Sequence, residues 1–275
     1  MKKFILFGNP IKQSKSPIIH EIFSKQEGLS YTYKKKLVFL NEFNLQFNLF
    51  FNNGGNGANI TSPYKELAYK KVNLLSMNAL ISKSINTIKK TSNKKLLGYN
   101  TDGIGLVLDL KRLNFIKKGM NILIIGAGGA ASNIIYSLLQ EKCKISITNR
   151  TFNKAKKIKE KFFFDTNIKP IKMEKLRNKK YDLIINATSC SLFEKVPKIT
   201  RNIFKENVFF YDMCYNKKQT CFIEWAKLQG IKKYSNGLGM LIYQAAFSFK
   251  LWNNFFPNVK EVIKKMDFIQ KVNFI

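Results

Sequence analysis

The segment from Gly57 to Glu66 places a lysine where its charge is unfavourable. Ser62 is suited to cap a helix and Pro63 to occupy its first position, so Lys65 is predicted at the third helical position. The positive end of a helix disfavours a cation there and favours the neutral amine. A neutral amine can exchange protons near neutral pH, so Lys65 is a candidate general acid–base group. A solvated surface lysine is the alternative, because lysine is abundant in this chain.

Asp102, in the turn Asn100-Thr101-Asp102-Gly103, is a candidate partner for that lysine. The turn is predicted between a strand at residues 95–99 and an amphipathic helix at 106–113. The Asp102 carboxylate could hold a substrate hydroxyl or orient the Lys65 amine. Asn, Thr and Asp also bond readily to nearby backbone, so an ordinary capped turn is the alternative.

Two serines near the start of the chain could hold an anion. Ser14 and Ser16 follow the turn Gly8-Asn9-Pro10 and precede a helix predicted for residues 17–26. Helix N-termini bind anions, so these hydroxyls are candidate ligands for a carboxylate or a substrate hydroxyl. Ordinary helix capping explains them equally well.

A glycine-rich turn in the middle of the chain has the pattern of a dinucleotide-binding loop. Strand, turn, helix and strand are predicted over residues 121–125, 126–131, 132–140 and 144–148. Within the turn, Gly126, Gly128 and Ala131 match G-x-G-x-x-G/A, with the required strand before it and helix after it. Glycines let the backbone approach a pyrophosphate, and the helix N-terminus supplies amide donors.

The end of the second strand bears on the choice of cofactor. An NAD site usually has Asp or Glu there to hold the ribose 2′-hydroxyl. This chain instead has Asn149-Arg150-Thr151, with Lys154 close behind. No carboxylate would repel a 2′-phosphate, and the planar guanidinium of Arg150 could clamp it. The pattern therefore favours NADP(H).

A set of ordered motifs extends over nearly the whole chain. They are Phe7 to Ile11 with Ser14 to Pro17 and His20, Gly57 to Lys65, Ile85-Asn86-Thr87, Gly98 to Gly105, Gly126 to Ala131, Thr148 to Thr151, Ile185 to Ser189, Tyr211-Asp212-Met213 with Tyr215, and Gly237 to Leu241 with Gln244. In these residues and in this order the chain resembles the shikimate dehydrogenase family.

That resemblance implies an enzyme of the shikimate pathway, which leads to the aromatic amino acids, that reversibly reduces 3-dehydroshikimate to shikimate with NADPH. The implied shikimate site comprises Ser14, Ser16, Asn59, Thr61, Lys65, Asn86, Asp102, Tyr215 and Gln244. Ser14 and Ser16 would hold the carboxylate, Lys65 would move the proton on the C3 oxygen, and Asp102 would bind hydroxyl groups and orient Lys65. The implied cofactor side comprises Gly126, Ala127, Gly128, Gly129, Ala130, Asn149, Arg150, Thr151, Lys154, Thr188, Met213, Gly237 and Met240.

The chain also departs from the family pattern. Ser191 replaces a usual glycine near the nicotinamide, the loop Asn216-Lys217-Lys218 lacks a usual proline, Gln13 and Asn236 replace a frequent histidine and aspartate, and Met77 stands where some members are acidic. All of these positions lie outside the implied proton-transfer pair, so they bear on affinity more than on chemistry.

Alternating strand and helix patterns predict an α/β fold with two domains. Residues 1–101 are expected to form an N-terminal α/β substrate domain, completed by C-terminal helices within 238–275. Residues 102–237 are expected to form a Rossmann-like, doubly wound dinucleotide-binding domain. A chain of 275 residues is long enough for two modest domains.

Composition narrows the remaining possibilities. No run approaches 18 uninterrupted apolar residues, so no membrane span is predicted. The apolar start at residues 4–7 ends at Gly8-Asn9-Pro10, too soon for a signal peptide. The four cysteines have no C-x-x-C spacing and the chain has one histidine, so we expect no metal site and reduced thiols in the cytoplasm.

The net charge of +31 is the main argument for a different function, nucleic-acid binding. The charge is spread over the whole chain, however, and Lys, Asn, Ile and Phe, all specified by A/T-rich codons, are abundant together. Biased genome composition therefore explains the charge, and we expect a small-molecule substrate with no nucleic-acid or membrane partner. Two alternatives stay open: a broader quinate/shikimate dehydrogenase that uses NAD, and a homodimer as the assembly.

Overall fold

The computed structural model describes residues 1–216 and 219–272. Lys217 and Lys218, part of the loop that departs from the family pattern, lie outside the described residues. The chain forms two compact units: Met1–Gly105 with Ile242–Ile275, and Leu106–Leu241.

Strands and helices alternate along the described chain. The strands are β1 (Lys2–Gly8), β2 (Tyr31–Leu37), β3 (Gly57–Ile60), β4 (Leu74–Leu75), β5 (Thr87–Lys90), β6 (Leu96–Tyr99), β7 (Asn121–Ile125), β8 (Lys144–Thr148), β9 (Ile168–Pro170), β10 (Tyr181–Asn186), β11 (Phe204–Asp212) and β12 (Lys233–Asn236). The α-helices are α1 (Ser16–Gln26), α2 (Phe43–Asn52), α3 (Lys65–Tyr69), α4 (Met77–Ser82), α5 (Asp102–Arg112), α6 (Gly129–Gln140), α7 (Phe152–Lys161), α8 (Cys221–Leu228), α9 (Leu238–Asn253) and α10 (Val259–Val272). Short 3-10 helices span Met173–Asn178, Cys190–Phe193 and Arg201–Ile203.

The first unit is built on a six-stranded mixed sheet in the order β2-β1-β3-β5-β6-β4. β1 is parallel to β2 and β3, whereas β5 is antiparallel to β3 and β6. These directions bring the ends of β1, β3 and β6 to the edge at which β5 begins. Phe43, Phe47 and Phe51 recur every four residues on α2 and form one core with Phe7 of β1.

The second unit contains a six-stranded parallel sheet in the order β9-β8-β7-β10-β11-β12. β7 and β10 are nearly continuous apolar runs that are buried, as central strands of a parallel sheet are. Within this sheet the first strand, β7, lies in the middle. The chain then adds β8 and β9 on one side and β10, β11 and β12 on the other, which is the doubly wound order of dinucleotide-binding folds. The predicted two-domain α/β fold with a Rossmann-like second sheet is confirmed.

The start of α3 differs from the prediction. The helix begins at Lys65 and has only five residues, with Tyr64 at its N-cap and no side-chain cap. Ser62 and Pro63 are joined by a cis peptide and precede the helix. The helix starts after Tyr64 because that ring is buried and stacks on Phe43. The predictions that Ser62 caps this helix and that Lys65 is its third residue are therefore wrong.

Three other helices begin earlier than the sequence pattern predicts. α1 begins at Ser16, α5 at Asp102 and α6 at Gly129. Apolar periodicity marks only the buried part of a helix, so a polar or glycine-rich first turn escapes it. At α5 the Asn100 side chain accepts the Asp102 N–H at 3.2 Å, and the helix follows at once.

Candidate active site

One edge of the first sheet collects most of the residues predicted for the substrate. Ser14 and Ser16 follow β1, Asn59 lies near the end of β3 with Thr61 just beyond the strand, Lys65 opens α3, Asn86 precedes β5, and Asp102 follows β6. This placement follows from the strand directions, because β1, β3 and β6 end where β5 begins. Residues far apart in sequence therefore meet at one place within the first unit.

Lys65 and Asp102 form an ion pair at this edge. Lys65 Nζ lies 2.5 Å from Asp102 Oδ2, and the two side chains are 23% and 12% exposed. The other carboxylate oxygen, Oδ1, accepts a hydrogen bond of 2.7 Å from Asn86 Nδ2. The carboxylate thus holds the amine while the amine keeps donors for a bound ligand, which is the arrangement a proton-transfer group requires.

Asn86 is the hub of this polar cluster. Its Oδ1 accepts the backbone N–H of Thr101 at 2.9 Å, and its Nδ2 faces Asp102 and the Gln244 Oε1, the latter at 3.3 Å. Donor and acceptor positions therefore agree from both sides, which fixes the orientation of the amide. Thr101 also reaches the Gln244 carbonyl through its hydroxyl at 3.1 Å, so α9 is joined to the cluster.

The hydroxyl groups of Ser14 and Ser16 lie next to each other. The Ser14 and Ser16 hydroxyl oxygens are 3.2 Å apart, and Ser14 Oγ accepts the Ser16 N–H at 3.3 Å. Ser16 is the first residue of α1, whose N-cap, Lys15, has no side-chain cap. Two adjacent hydroxyls at a helix start can donate to one carboxylate.

Asn59 has its hydrogen bonds inside the protein. Its Nδ2 has three acceptors within hydrogen-bond distance for its two hydrogens: the Asn86 carbonyl at 3.1 Å, Thr87 Oγ1 at 3.1 Å and Ser248 Oγ at 3.0 Å. Its Oδ1 accepts the Tyr33 hydroxyl at 2.8 Å. The predicted contact of Asn59 with substrate stays a prediction. In the structure its side chain bonds to other members of the polar cluster.

His20 is buried beside the same cluster. Its ring stacks on Tyr33 with centroids 4.2 Å apart, and neither ring nitrogen makes a hydrogen bond of good geometry. Burial lowers the pKa of His20 to about 3, and the nearby Asn59 amide opposes part of that shift. His20 is therefore neutral at physiological pH.

The second sheet collects the residues predicted for the cofactor. They follow the carboxyl ends of five parallel strands: Gly126 to Ala130 after β7, Asn149 to Lys154 after β8, Thr188 after β10, Met213 after β11, and Gly237 with Met240 after β12. Ligands of open parallel sheets bind at this edge. Tyr215, predicted for the substrate, also belongs to this second unit.

The glycine turn has room for a pyrophosphate. Gly126 has φ +110°, and a Cβ there would lie 2.9 Å from the Ala187 backbone. Gly128 is the N-cap of α6, and a Cβ on it or on Gly129 would meet no atom within 4 Å. The first glycine is thus required by the fold, whereas the other two leave open the space that a phosphate group would fill.

The segment after β8 presents cationic and amide groups. Arg150 and Lys154 are exposed, and Thr151 is the N-cap of α7 without a side-chain cap bond. Asn149 Nδ2 donates to the Thr151 carbonyl at 3.0 Å and shapes the turn. These groups can hold a 2′-phosphate next to a helix N-terminus.

Ser191, which departs from the family pattern, has a defined role in the fold. Its hydroxyl donates to Asp212 Oδ2 at 2.6 Å, and Asn186 donates to Oδ1 of the same carboxylate at 3.0 Å. Burial raises the pKa of Asp212, and these hydrogen bonds oppose the rise. The network adjoins Met213, whose N–H bonds to the Asn186 carbonyl at 3.0 Å.

Within residues 1–216 and 219–272, no group of three His, Cys, Asp or Glu residues could hold a metal ion. No helix in the same ranges has the length and apolar character needed to cross a membrane.

Comparison with protein-family models gives three matches in chain order. Residues 6–88 match the shikimate dehydrogenase substrate binding domain, and residues 110–213 match shikimate / quinate 5-dehydrogenase. Residues 237–266 match the shikimate 5′-dehydrogenase C-terminal domain.

Solved structures agree. Shikimate dehydrogenase from Aquifex aeolicus is 31% identical with a TM-score of 0.85, and the alignment covers 94% of this chain and 95% of that one. The chain belongs to the shikimate dehydrogenase family. The predicted family and the predicted oxidoreductase class are thereby confirmed.

Two further shikimate dehydrogenase structures carry ligands. The enzyme from Thermus thermophilus, in complex with NADP(H) and shikimate, is 29% identical with a TM-score of 0.84, covering 94% of this chain and 96% of that one. The enzyme from Listeria monocytogenes, in complex with shikimate and NAD, is 27% identical with a TM-score of 0.88, covering 97% of this chain and 96% of that one.

Four members of the polar cluster were not predicted as site residues: Tyr33, Thr87, Thr101 and Ser248. Thr87 and Thr101 stand in motifs of the sequence, but no role in the site was assigned to them. Ser248 lies one helical turn after Gln244 on α9, so the i,i+4 spacing could have identified it. Thr87 follows Asn86 directly, but neighbouring residues of an extended chain are expected to face opposite sides. Tyr33 lies in the edge strand β2, and none of the sequence motifs includes it.

Proposed function

We propose that this chain catalyses the reversible reduction of 3-dehydroshikimate to shikimate with NADPH. The observation that carries the proposal is the Lys65–Asp102 pair at 2.5 Å, with Asp102 held from behind by Asn86. Membership of the shikimate dehydrogenase family supports the substrate and the reaction. Bound NADPH would supply the hydride that reduces C3.

The first unit would bind the substrate. Ser14 and Ser16 would donate to its carboxylate, and the side chains of Thr61, Asn86, Asp102 and Gln244 would contact its hydroxyl groups. Tyr215 belongs to the second unit, and its contact with the substrate stays a prediction. Lys65 Nζ would give its proton to the C3 oxygen as the carbonyl is reduced, and would take it back in the reverse direction. The Asp102 carboxylate would keep the amine oriented in both protonation states.

The second unit would bind the cofactor. The backbone of Gly126 to Ala130 would hold the pyrophosphate, and Arg150 with Asn149, Thr151 and Lys154 would hold the 2′-phosphate. Thr188, Met213, Gly237 and Met240 would border the nicotinamide. The open space over Gly128 and Gly129 supports this assignment.

A broader quinate/shikimate dehydrogenase that accepts NAD is the second candidate. The matching family model covers both substrates, and the Listeria relative binds NAD. Arg150 and the absence of a carboxylate in the segment 149–154 argue for NADP instead.

Initial rates with shikimate or quinate, each with NADP+ or NAD+, separate the two candidates. We expect NADP+ to exceed NAD+ by at least about tenfold in kcat/KM, because a charge-assisted clamp on phosphate contributes over about 1.4 kcal/mol. Arg150→Ala should erode that preference, whereas Arg201→Ala, far from β8 in the sequence, should keep it. Equal rates with both cofactors in the unmutated enzyme would refute the NADP assignment.

The cellular setting and the assembly belong to the same proposal. We place the enzyme in the cytoplasm, where thiols stay reduced; Cys143, Cys190, Cys214 and Cys221 are all free. There it would serve aromatic amino-acid biosynthesis. A homodimer stays a prediction, which the molar mass from light scattering would test.

A further inference from the structure

Two buried hydroxyl groups lie behind the Lys65–Asp102 pair in the first unit. Thr87 opens β5 and Ser248 lies on α9; both are fully buried, and their hydroxyl oxygens are 2.7 Å apart. A hydroxyl buried without a hydrogen bond costs roughly 1–3 kcal/mol in proteins. The partners of these two groups therefore indicate what they serve.

Thr87 contacts the residue that holds Asp102. Its hydroxyl donates to Asn86 Oδ1 at 3.0 Å, the oxygen that also accepts the Thr101 N–H at 2.9 Å. The opposite side of the same amide, Nδ2, donates to Asp102 Oδ1 at 2.7 Å. A reversed amide would set Nδ2 against the Thr101 N–H and its oxygen against the Asp102 carboxylate. Thr87 thus reinforces the one orientation that holds Asp102.

Ser248 closes the cluster from α9. Its hydroxyl lies 3.1 Å from the Gln244 carbonyl, which the Thr101 hydroxyl also reaches. Asn59 Nδ2 donates to both buried hydroxyls, at 3.1 Å to Thr87 and 3.0 Å to Ser248. Every polar atom of the pair has a partner, and a fully bonded buried network rigidifies its surroundings.

We propose that Thr87 and Ser248 are positioning residues for the Lys65–Asp102 pair, acting through the Asn86 amide. Neither hydroxyl contacts the substrate in this assignment. Thr87 holds the amide, the amide holds Asp102 Oδ1, and Oδ2 is thereby kept within reach of the lysine amine. Ser248 holds Thr87 and joins it to α9. The proposal rests on the proposed function for its kinetic readout, because small displacements of a reacting group cost rate.

Thr87→Val is the direct test, since it keeps the shape and removes the hydroxyl. We expect kcat to fall roughly 10–100-fold while KM for shikimate stays within about threefold. Thr87→Ser, which restores the hydroxyl, should recover kcat to within about threefold of the native value. Ser248→Ala should lower kcat less, by roughly 3–10-fold, because it acts one bond further away.

Ile88→Val is the matched control. Ile88 is the next residue of β5, fully buried in the apolar core rather than in the polar cluster. Its loss of one methylene lowers stability without removing a hydrogen bond, so kcat should stay native. A fall in kcat for Ile88→Val equal to that for Thr87→Val would reduce the effect to general destabilisation and overturn the proposal.

A double-mutant cycle tests the route through Asn86. In an Asn86→Ala background, Thr87→Val should lower kcat by less than about twofold, because the group through which it acts is gone. Full additivity of the two losses would overturn the proposal, as would a native kcat in the single Thr87→Val variant. If Thr87→Val fails to fold, Ser248→Ala in the same cycle decides between these outcomes.

A crystal structure of Thr87→Val provides a readout that does not depend on the substrate. We expect the Asn86–Asp102 hydrogen bond to be lost or the amide to be turned. An unchanged Asn86–Asp102–Lys65 geometry would overturn the positioning role. If the unmutated chain fails to oxidise shikimate, the proposed function fails, and this structure still decides the positioning proposal.

Discussion

Lys65 and Asp102 are largely shielded from water, with 23% and 12% of their side chains exposed. Removing two charges from water costs free energy that their mutual attraction offsets only in part, so such a pair is weak evidence for stability. The presence of the pair is better explained by the chemistry it can perform. The field of a helix end, which the sequence suggested would act on Lys65, is small because α3 has only five residues, and the structure pairs Lys65 with Asp102.

We expect Lys65→Ala to lower kcat by roughly 10²–10⁴, the usual contribution of general acid–base catalysis. KM for shikimate should change less, because the amine acts mainly where the proton moves. Asp102→Ala should also lower kcat, and the double variant should fall short of the product of the two losses. Ser14→Ala should mainly raise KM. Steady-state rates measure all four variants, and near-native kcat in a folded Lys65→Ala enzyme would contradict the assignment.

His20 should make the fold sensitive to acid. Its pKa is lowered from 6.5 to about 3 by burial, so the unfolded chain takes up this proton first as the pH falls. Its contribution to stability is complete above pH 6.5 and is lost as the pH falls from 6.5 towards 3. The free energy of unfolding falls by at most about 1.4 kcal/mol per pH unit in this range.

His20→Phe should flatten this pH dependence, because the stacked ring stays and the titrating group is removed. Denaturant unfolding at pH 7, 6 and 5 would measure the slope; His20 is the one histidine of the chain, so the difference is its own. Ser24→Ala, a half-buried position of the same helix with no titrating group, should keep the native slope. Identical slopes with and without His20 would contradict the prediction.

Helices and strands were predictable to different degrees. The bounds of β7 and β8 could be predicted from the sequence, because a strand buried inside a parallel sheet is a nearly continuous apolar run. The start of α3 was not predictable, because a tertiary contact, Tyr64 stacking on Phe43, decides it. The motifs indicated Asn86 and Asp102 as site residues, but assigned no role to Thr87 and did not include Ser248, because their roles depend on the tertiary packing that brings β5 and α9 together.

Two glycines of the β7–α6 turn should respond differently to alanine. Gly126→Ala should lower stability by roughly 1–3 kcal/mol, because φ is +110° and the Cβ would press on the Ala187 backbone. Gly128→Ala meets no protein atom within 4 Å, so its melting temperature should stay native. Its KM for NADP+ should rise at least about tenfold, because the methyl occupies the pyrophosphate space.

Thermal melting and cofactor titration of both variants give the two readouts. Gly230→Ala is the control for strain alone, since Gly230 has φ +79° in open surroundings outside the cofactor turn. It should lose stability and keep its KM for NADP+. An unchanged KM in Gly128→Ala would argue against pyrophosphate binding at this turn.

The whole molecule carries a net charge of +31 distributed along its length. Such a surface attracts anions in general, the substrate and the cofactor included. If the charge reflects composition, duplex DNA should bind weakly and lose affinity steeply between about 0.05 and 0.2 M salt. Fluorescence anisotropy with two unrelated duplexes measures this. Sequence-selective binding that survives at about 0.2 M salt would show a second function.

The first unit takes its residues from both sides of the second in the sequence. Trp252 of α9 donates its indole N–H to the Ile88 carbonyl at 2.9 Å and stacks on Phe4 with centroids 4.3 Å apart. During translation, all strands of residues 106–241 leave the ribosome before Trp252 does. The whole second unit is therefore outside the ribosome while Phe4 still lacks its cover. The nascent first sheet is the part of this chain for which chaperones have the longest opportunity.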